Sequence, residues 1–407
     1  MKTQETATLL LDLDDTLLGS SMDTFIPVYL QALARRMAPY AKPEFLVKTL
    51  LAATRIMSKN QEIDRTLQDV FDTEFYPALG LTKEGVQDTI DAFYAEDFPT
   101  LQRLTQLRPE AVQLVEKAFE RGYRIGIATN PLFPRTAIEQ RLEWAGLPVS
   151  RYPFDLVPSY QTFHFAKPNP AYYAEFLAQM GWPEGSVVMV GDDMNLDITP
   201  ARQLGLPVFW ISQGDCPSPS EADHPIAHGS LAEFLPWLDE ASPESLQPDF
   251  STTTAILAIL YSTPGTLDIL TAGLPDNNWT QRPEPNEWCP TEIACHLRDV
   301  EVEVNLPRTQ KVIRESHPFL PGMDTDPWAK ERQYMLQNGV QALHAFTTSR
   351  RDHIYLLNNL KPEDWDRFAR HTIFGPTRLK ELVGIVAGHD RLHVRQMAET
   401  IHTLRSK

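Results

Sequence analysis

This sequence predicts an α/β domain on a parallel sheet, interrupted by a helical insertion and followed by an all-α four-helix bundle. Three observations predict it. Short apolar runs alternate with helical patterns through the first half of the chain. Between the first two runs, about a hundred residues read as helical throughout, which is too long for a simple crossover. In the last 150 or so residues the periodicity is helical and no convincing strand is visible.

The strands expected are Thr8–Leu11, Arg124–Ala128, Val187–Val190 and Pro207–Ile211. Stretches such as "PVYLQALARRMAPY" and "GVQDTIDAFYAEDF" make the insertion helical. Around residue 240 the composition turns polar and rich in Pro and Ser ("DEASPESLQPDFSTTT"), which reads as a linker. The expected division is a first domain over 1–240, with its insertion about 18–108, a linker over 241–253 and a bundle over 254–407. The bundle's helices are expected at Thr254–Leu260 resuming at Pro264–Ala272, and at Pro290–Val304, Trp328–Leu360 and Thr377–Thr403.

With 407 residues the chain is long enough for two or three cores, and 42% hydrophobic residues is ordinary for a globular protein. A formal net charge of −17 argues against a nucleic acid or an anionic membrane as partner. It leaves an anionic small substrate open, since a bound metal inverts the local field. The start "MKTQETATLL" has no basic-then-apolar leader, and no apolar run reaches the roughly 18 residues of a span. Three cysteines, Cys216, Cys289 and Cys295, are too few for a disulfide framework, so a cytoplasmic location is expected.

The first apolar run ends on an acidic cluster: "LLLDLDDTLL" places Asp12, Asp14 and Asp15 where mutual repulsion is least screened. Later strands also end on polar groups: "IGIATN" on Thr129 and Asn130, and "VVMVGDD" on Asp192 and Asp193, with Asp197 close behind. Lys167 sits in "FAKPNPAYY" before a helix started by proline. In an open parallel sheet these groups all fall on the rim beyond the carboxyl ends of the strands. Two acidic clusters against one lysine call for a divalent ion with oxygen ligands, and Mg²⁺ fits best. With the ion in place, a carboxylate can attack a phosphoryl group and a second one can protonate the leaving group and then activate water. A calcium loop is a poor alternative for "DLDDT", because Leu17 stands where that loop needs glycine.

The motifs "DLDDT", "ATN", Lys167 and "GDDMNLD", in that order, resemble the haloacid dehalogenase-like hydrolases over roughly residues 5–240. The resemblance implies a Rossmann-like domain with a helical cap between the first and second motifs. It implies Asp12 as nucleophile, Asp14 as general acid/base, and Thr129, Asn130 and Lys167 as holders of the phosphate. The Mg²⁺ set would be Asp12, Asp14 through its backbone carbonyl, Asp192 and Asp197, the last supporting the metal waters or Lys167. Dehalogenating relatives lack the second acid, so Asp14 favours phosphatase chemistry on a small phosphorylated metabolite. Asp15 stands where the first motif commonly has glycine.

In the last helical stretch, Leu382, Val386, His389, His393 and Met397 make one stripe, and His296 shares a stripe with Ile293 and Val300. Three inward histidines on two helices could make an open metal set, although a His pair at this spacing is by itself more often an ordinary core or surface pair. "PGTLDILTAGL", "EWCPTEIACHLRDVE", "KPEDWDRF" and "AGHDRLHVRQM" resemble the DinB-like bundles over roughly 250–403, whose metal triad matches His296, His389 and His393. Zn²⁺ or Ni²⁺ suits imidazole. The resemblance also leaves open a thiol-dependent transferase or isomerase, a non-catalytic metal or ligand sensor, and a homodimer through the bundle. Glu303 falls on a similar face to His296; Asp299 and Asp390 read as solvated charges, and His344, His353 and His371 as surface residues.

Overall fold

Each of the four expected apolar runs pairs in parallel with its neighbours, because runs buried on both faces need strands and helices on every side. The computed structural model describes residues 7–212 and 226–406; Cys216 lies outside them. The described residues divide into two compact units, one of residues 7–176 and 183–249, the other of 177–182 and 250–406.

The first unit holds β1 (Thr8–Leu11), β2 (Leu18–Ser20), α1 (Met22–Arg36), α2 (Pro43–Met57), α3 (Leu67–Leu79), α4 (Lys83–Ala92) and β3 (Thr105–Leu107). These are followed by α5 (Pro109–Glu120), β4 (Arg124–Ile127), α6 (Arg135–Trp144), α7 (Pro170–Gln179, whose residues from Leu177 on are counted with the second unit) and β5 (Val187–Gly191), then α8 (Thr199–Leu204), β6 (Val208–Ile211), β7 (Ala227–Gly229) and α9 (Leu231–Glu240). The main sheet runs β4-β1-β5-β6-β7, with Thr8 paired to both Arg124 and Val187. All of β1 is buried, and it lies between β4 and β5, where connections leave in opposite directions. The helical insertion α1–α4 enters through β2 and returns through β3, which pair antiparallel with Leu18 opposite Leu107. Its core is aromatic: Phe25, Phe93 and Phe98 are almost fully buried and pack edge-to-face. After α9, the polar stretch expected to be a linker forms a short 3₁₀ turn, Pro243–Leu246, and buries Leu246 against the first unit's core.

In the second unit, Thr253–Thr271 is one helix rather than two: Pro264 sits inside it because burial on both sides outweighs the missing N–H. This helix is long and apolar enough to cross a membrane by length and composition, against expectation, and 61% of the qualifying window is buried inside the fold. The other long helices are Pro290–Val300, Leu306–Arg314, Gly339–Asn358 and Leu379–Ser406. A π-turn, Glu301–Asn305, joins the first two of these. The stretch expected as one helix over Trp328–Leu360 is broken, and Asn338 starts its main part by accepting the backbone N–H of Gln341 at 3.0 Å. A small sheet also corrects the strand-free expectation: β8 (Phe319–Leu320), β9 (Phe368–His371) and β10 (Gly375–Arg378).

Candidate active site and metal centres

The backbone directs the acidic rim. Asp12 follows β1, with its N–H on Val190 O at 2.9 Å, and Ala128 at the end of β4 donates to Leu11 O at 2.7 Å. The two strand ends are thereby locked side by side, with Asp12 next to Thr129. After Asp12 the chain turns sharply: Asp15 has φ of +53°, and its carboxylate accepts the Ser20 N–H at 2.9 Å. Aspartate tolerates the left-handed region and caps the turn locally, which explains its place in a position where glycine is common.

Asp12, Asp14, Thr129, Asn130, Lys167, Asp192 and Asp197 all line one cleft of about 470 Å³. Asp12, Asp192 and Asp197 each offer a carboxylate oxygen within 4.8 Å of the others. Lys167 Nζ, almost fully buried, donates to Asp12 Oδ1 at 2.8 Å and to Asp197 Oδ1 at 2.5 Å. Burial works against that ammonium, but Asp12 and Asp197 hold its pKa well above the ordinary lysine range. Burial and the Asp12 charge push Asp192 up to about 7, against a hydrogen bond from Thr16 at 3.1 Å. Three clustered carboxylates, two of them paired with one ammonium, fit a divalent cation, which would relieve their mutual repulsion. Asn130 Oδ1 accepts the Lys167 N–H at 3.3 Å, and Tyr172 donates to Thr129 O at 2.7 Å. These two residues brace the lysine loop as well as lining the cleft.

The Asp14 side chain stands apart from the three converging carboxylates. It accepts from Ser20 Oγ at 3.0 Å and pairs with the Arg141 guanidinium. Arg141 was missed in the sequence. It is 1% exposed, on α6, with Phe133 under its guanidinium, and burial lowers its pKa to about 10. Ile138, Leu142 and Ala145 around it are buried, so its place on the apolar face of an otherwise charged helix was the available signal.

In the second unit His296, His389 and His393 converge, each with a ring nitrogen within 4.8 Å of the others. His296 Nε2 lies 3.0 Å from His389 Nε2, a spacing in which at most one of the two can carry a proton. Burial, then the charge of His393, lowers the His296 pKa to about 3, so the imidazoles are neutral and able to ligate. His296 Nδ1 and His389 Nδ1 are buried without a hydrogen-bond partner, while His393 Nδ1 lies 2.9 Å from Gln396 Oε1. Facing lone pairs and unpartnered nitrogens fit a transition-metal ion. The Trp288 ring stacks on His393 with centroids 5.9 Å apart.

Four residues expected on the surface are buried. Asp299 accepts from Arg298, Arg332 and Tyr334, and Glu303 pairs with Arg332 rather than facing the triad. Asp390 pairs with Arg350, whose guanidinium also holds Glu301 at 2.8 Å. His353 bridges Glu301 at 2.9 Å and Thr309 at 2.9 Å. His371 is buried, with the Ile373 N–H 3.2 Å from its Nδ1, whereas His344 is exposed as expected. A lone sequence cannot display most of these pairs, because Arg332, Tyr334, Arg350, Glu301 and Thr309 each lie tens of residues from the group they meet.

Residues 6–205 match the model of the haloacid dehalogenase-like hydrolases, and residues 259–397 match that of the DinB superfamily. Among curated relatives, a phosphoserine phosphatase from Thermus thermophilus is 29% identical over 158 residues, covering 38% of this chain and 59% of that protein. The chain thus spans less than two thirds of that relative. The uncharacterized protein YuaE from Bacillus subtilis is 23% identical over 138 residues, 31% of this chain and 85% of its own. Among solved structures, a haloacid dehalogenase-type phosphatase from Thermococcus onnurineus is 18% identical with a TM-score of 0.37, covering 57% of this chain and 98% of that one. The chain is thus similar to the haloacid dehalogenase-like hydrolases over residues 6–205 and to the DinB superfamily over residues 259–397.

Proposed function

We propose that the first domain is an Mg²⁺-dependent phosphatase that hydrolyses a small phosphomonoester through an aspartyl-phosphate at Asp12. The observation that carries this reading is the grouping of Asp12, Asp192 and Asp197 around Lys167, with Asp14 held separately by Ser20 and Arg141. A free Asp12 oxygen attacks phosphorus as the P–O bond to the leaving group breaks, and Asp14 gives that oxygen its proton. Asp14 then takes a proton from water, which attacks the acyl phosphate and releases inorganic phosphate, restoring Asp12. Lys167 neutralises charge on the transferring oxygens, and Thr129 and Asn130 orient them. Asp12, Asp192 and the Asp14 carbonyl would hold Mg²⁺, with Asp197 behind them; bound there, the ion supplies Lewis-acid stabilisation of the phosphoryl group.

The second domain is proposed to bind Zn²⁺ or Ni²⁺ at His296, His389 and His393, a reading favoured by the convergence of one ring nitrogen from each within 4.8 Å. The acidic chain suits a cytoplasmic protein acting on small metabolites rather than on nucleic acid or membranes. Phosphate release from a panel of phosphomonoesters, with Mg²⁺ and with EDTA, tests the reaction class. Release should require Mg²⁺ and fall by about 10³-fold or more in Asp12→Asn. Turnover that persists in Asp12→Asn and disappears in His389→Ala would instead make the bundle, as a thiol-dependent transferase, the working part.

A further inference from the structure

A second cavity adjoins the acidic cleft in the first unit. It measures about 170 Å³ and is walled by α1–α4 of the insertion together with the loop after β4. Ile26, Leu132 and Phe133 line both spaces, so the two adjoin. Among the described residues, no Asp, Glu, Lys, Arg or His lines the second space. Its walls are aliphatic and aromatic: Tyr29 meets Phe133 edge-to-face at 5.4 Å, and Phe71 stacks on Phe75 at 4.9 Å. The hydroxyls of Tyr29 and Tyr94 bond to each other at 3.2 Å, and Thr54, Tyr76 and Tyr160 bring the other hydroxyls of a lining that carries no charge.

We propose that this cavity receives the leaving group of the substrate, and that the leaving group is apolar, of about the size of a substituted phenyl ring. The proposal rests on the phosphatase reading for the phosphate end and on the cavity alone for the other end. An apolar cavity of about 150 Å³ accepts benzene, so the volume here admits one ring and little more. A ring entering it exchanges water for offset and edge contacts with aromatic walls. The charged ammonium and carboxylate of phosphoserine would lose water there with no charged group to meet them. The cavity thus selects against the compound for which the Thermus relative is named.

Two measurements on the full chain with Mg²⁺ test this. The first compares binding of phenylphosphonate with methylphosphonate by calorimetry. The second compares kcat/KM for phenyl phosphate, O-phosphoserine and acetyl phosphate. Phenylphosphonate should bind at least about ten-fold more tightly than methylphosphonate, from the apolar area it buries, and phenyl phosphate should outpace O-phosphoserine by a similar factor. Leu30→Trp on α1 and Thr54→Trp on α2 fill the space from two sides. Each should erase the phenyl preference while acetyl phosphate hydrolysis is retained, which also shows that the variant folds. Equal binding of the two phosphonates, or a preference that survives both fillings, overturns the assignment even if hydrolysis is observed. A phenyl preference abolished by filling, without Mg²⁺-dependent release dependent on Asp12, would uphold the cavity and overturn the phosphatase reading.

Discussion

Gly191 is needed for its missing side chain: a Cβ there would come within 2.3 Å of the Asp197 carboxylate. The "GDD" of the sequence is therefore a space requirement, and Asp197 uses the space to reach Lys167 and the Asp193 N–H at 3.1 Å. Gly191→Ala should displace Asp197 and lower phosphate release by about a hundred-fold, the scale of an ångström-sized misplacement, with an unchanged circular dichroism spectrum. Arg141→Met should remove the charge that holds Asp14 and lower kcat by about ten-fold or more, since it disturbs the group assigned to proton transfer. Phosphate-release kinetics check both. At this scale the carboxylates, Thr129 and Lys167 were legible because each ends or follows an apolar run. Arg141 was not, since its partner Asp14 lies far away in the chain and an arginine on a charged helix reads as solvated.

Among the elements, the π-turn Glu301–Asn305 widens one turn of helix and directs Glu301 inward, where it is fully buried against Arg350 and His353. Burial alone would raise the Glu301 pKa, but Arg350 and His353 hold it well below the usual carboxylate range. Its folded pKa is depressed, so its stabilising contribution is present above its unfolded value of about 4.3 and fades as pH falls below that. Asp390 opposes this weakly, because burial raises it despite Arg350. Arg350→Met should cost the second unit about 3 kcal/mol or more by leaving buried carboxylates unpaired, and thermal denaturation measures it. In Glu301→Gln the loss of melting temperature between about pH 5 and 3 should shrink. The parallel strands and the Pro290 and Leu379 helices were readable from apolar period, whereas the unbroken Thr253–Thr271 helix and the break before Asn338 were not. The small sheet was not: β8 has two residues and β9 and β10 carry mixed polarity, so their pairing comes from distant chain rather than local propensity.

For the whole molecule, the two metal-ready clusters use entirely different sequence segments, carboxylates from 12 to 197 and imidazoles from 296 to 393. His389→Ala with His393→Ala should abolish Zn²⁺ or Ni²⁺ uptake, measured by elemental analysis, and leave Mg²⁺-dependent phosphate release in place. The order of the motifs made the two-part organisation legible, because an acidic rim and a histidine triad call for different ions and different folds. The contents of the insertion were not legible, since a cavity is formed by helices meeting in space and leaves no pattern in any one of them. The insertion does have one simple boundary condition. It departs at Ser20 and comes back at Thr105, residues that face each other across the antiparallel ribbon. Strands so paired lie about 5 Å apart, and any replacement segment whose ends meet that spacing could be spliced there without redrawing the metal rim. Protein engineering thus has a cassette joint at this point, through which the lining of the second cavity can be exchanged while Asp12, Thr129, Lys167, Asp192 and Asp197 stay on the sheet rim.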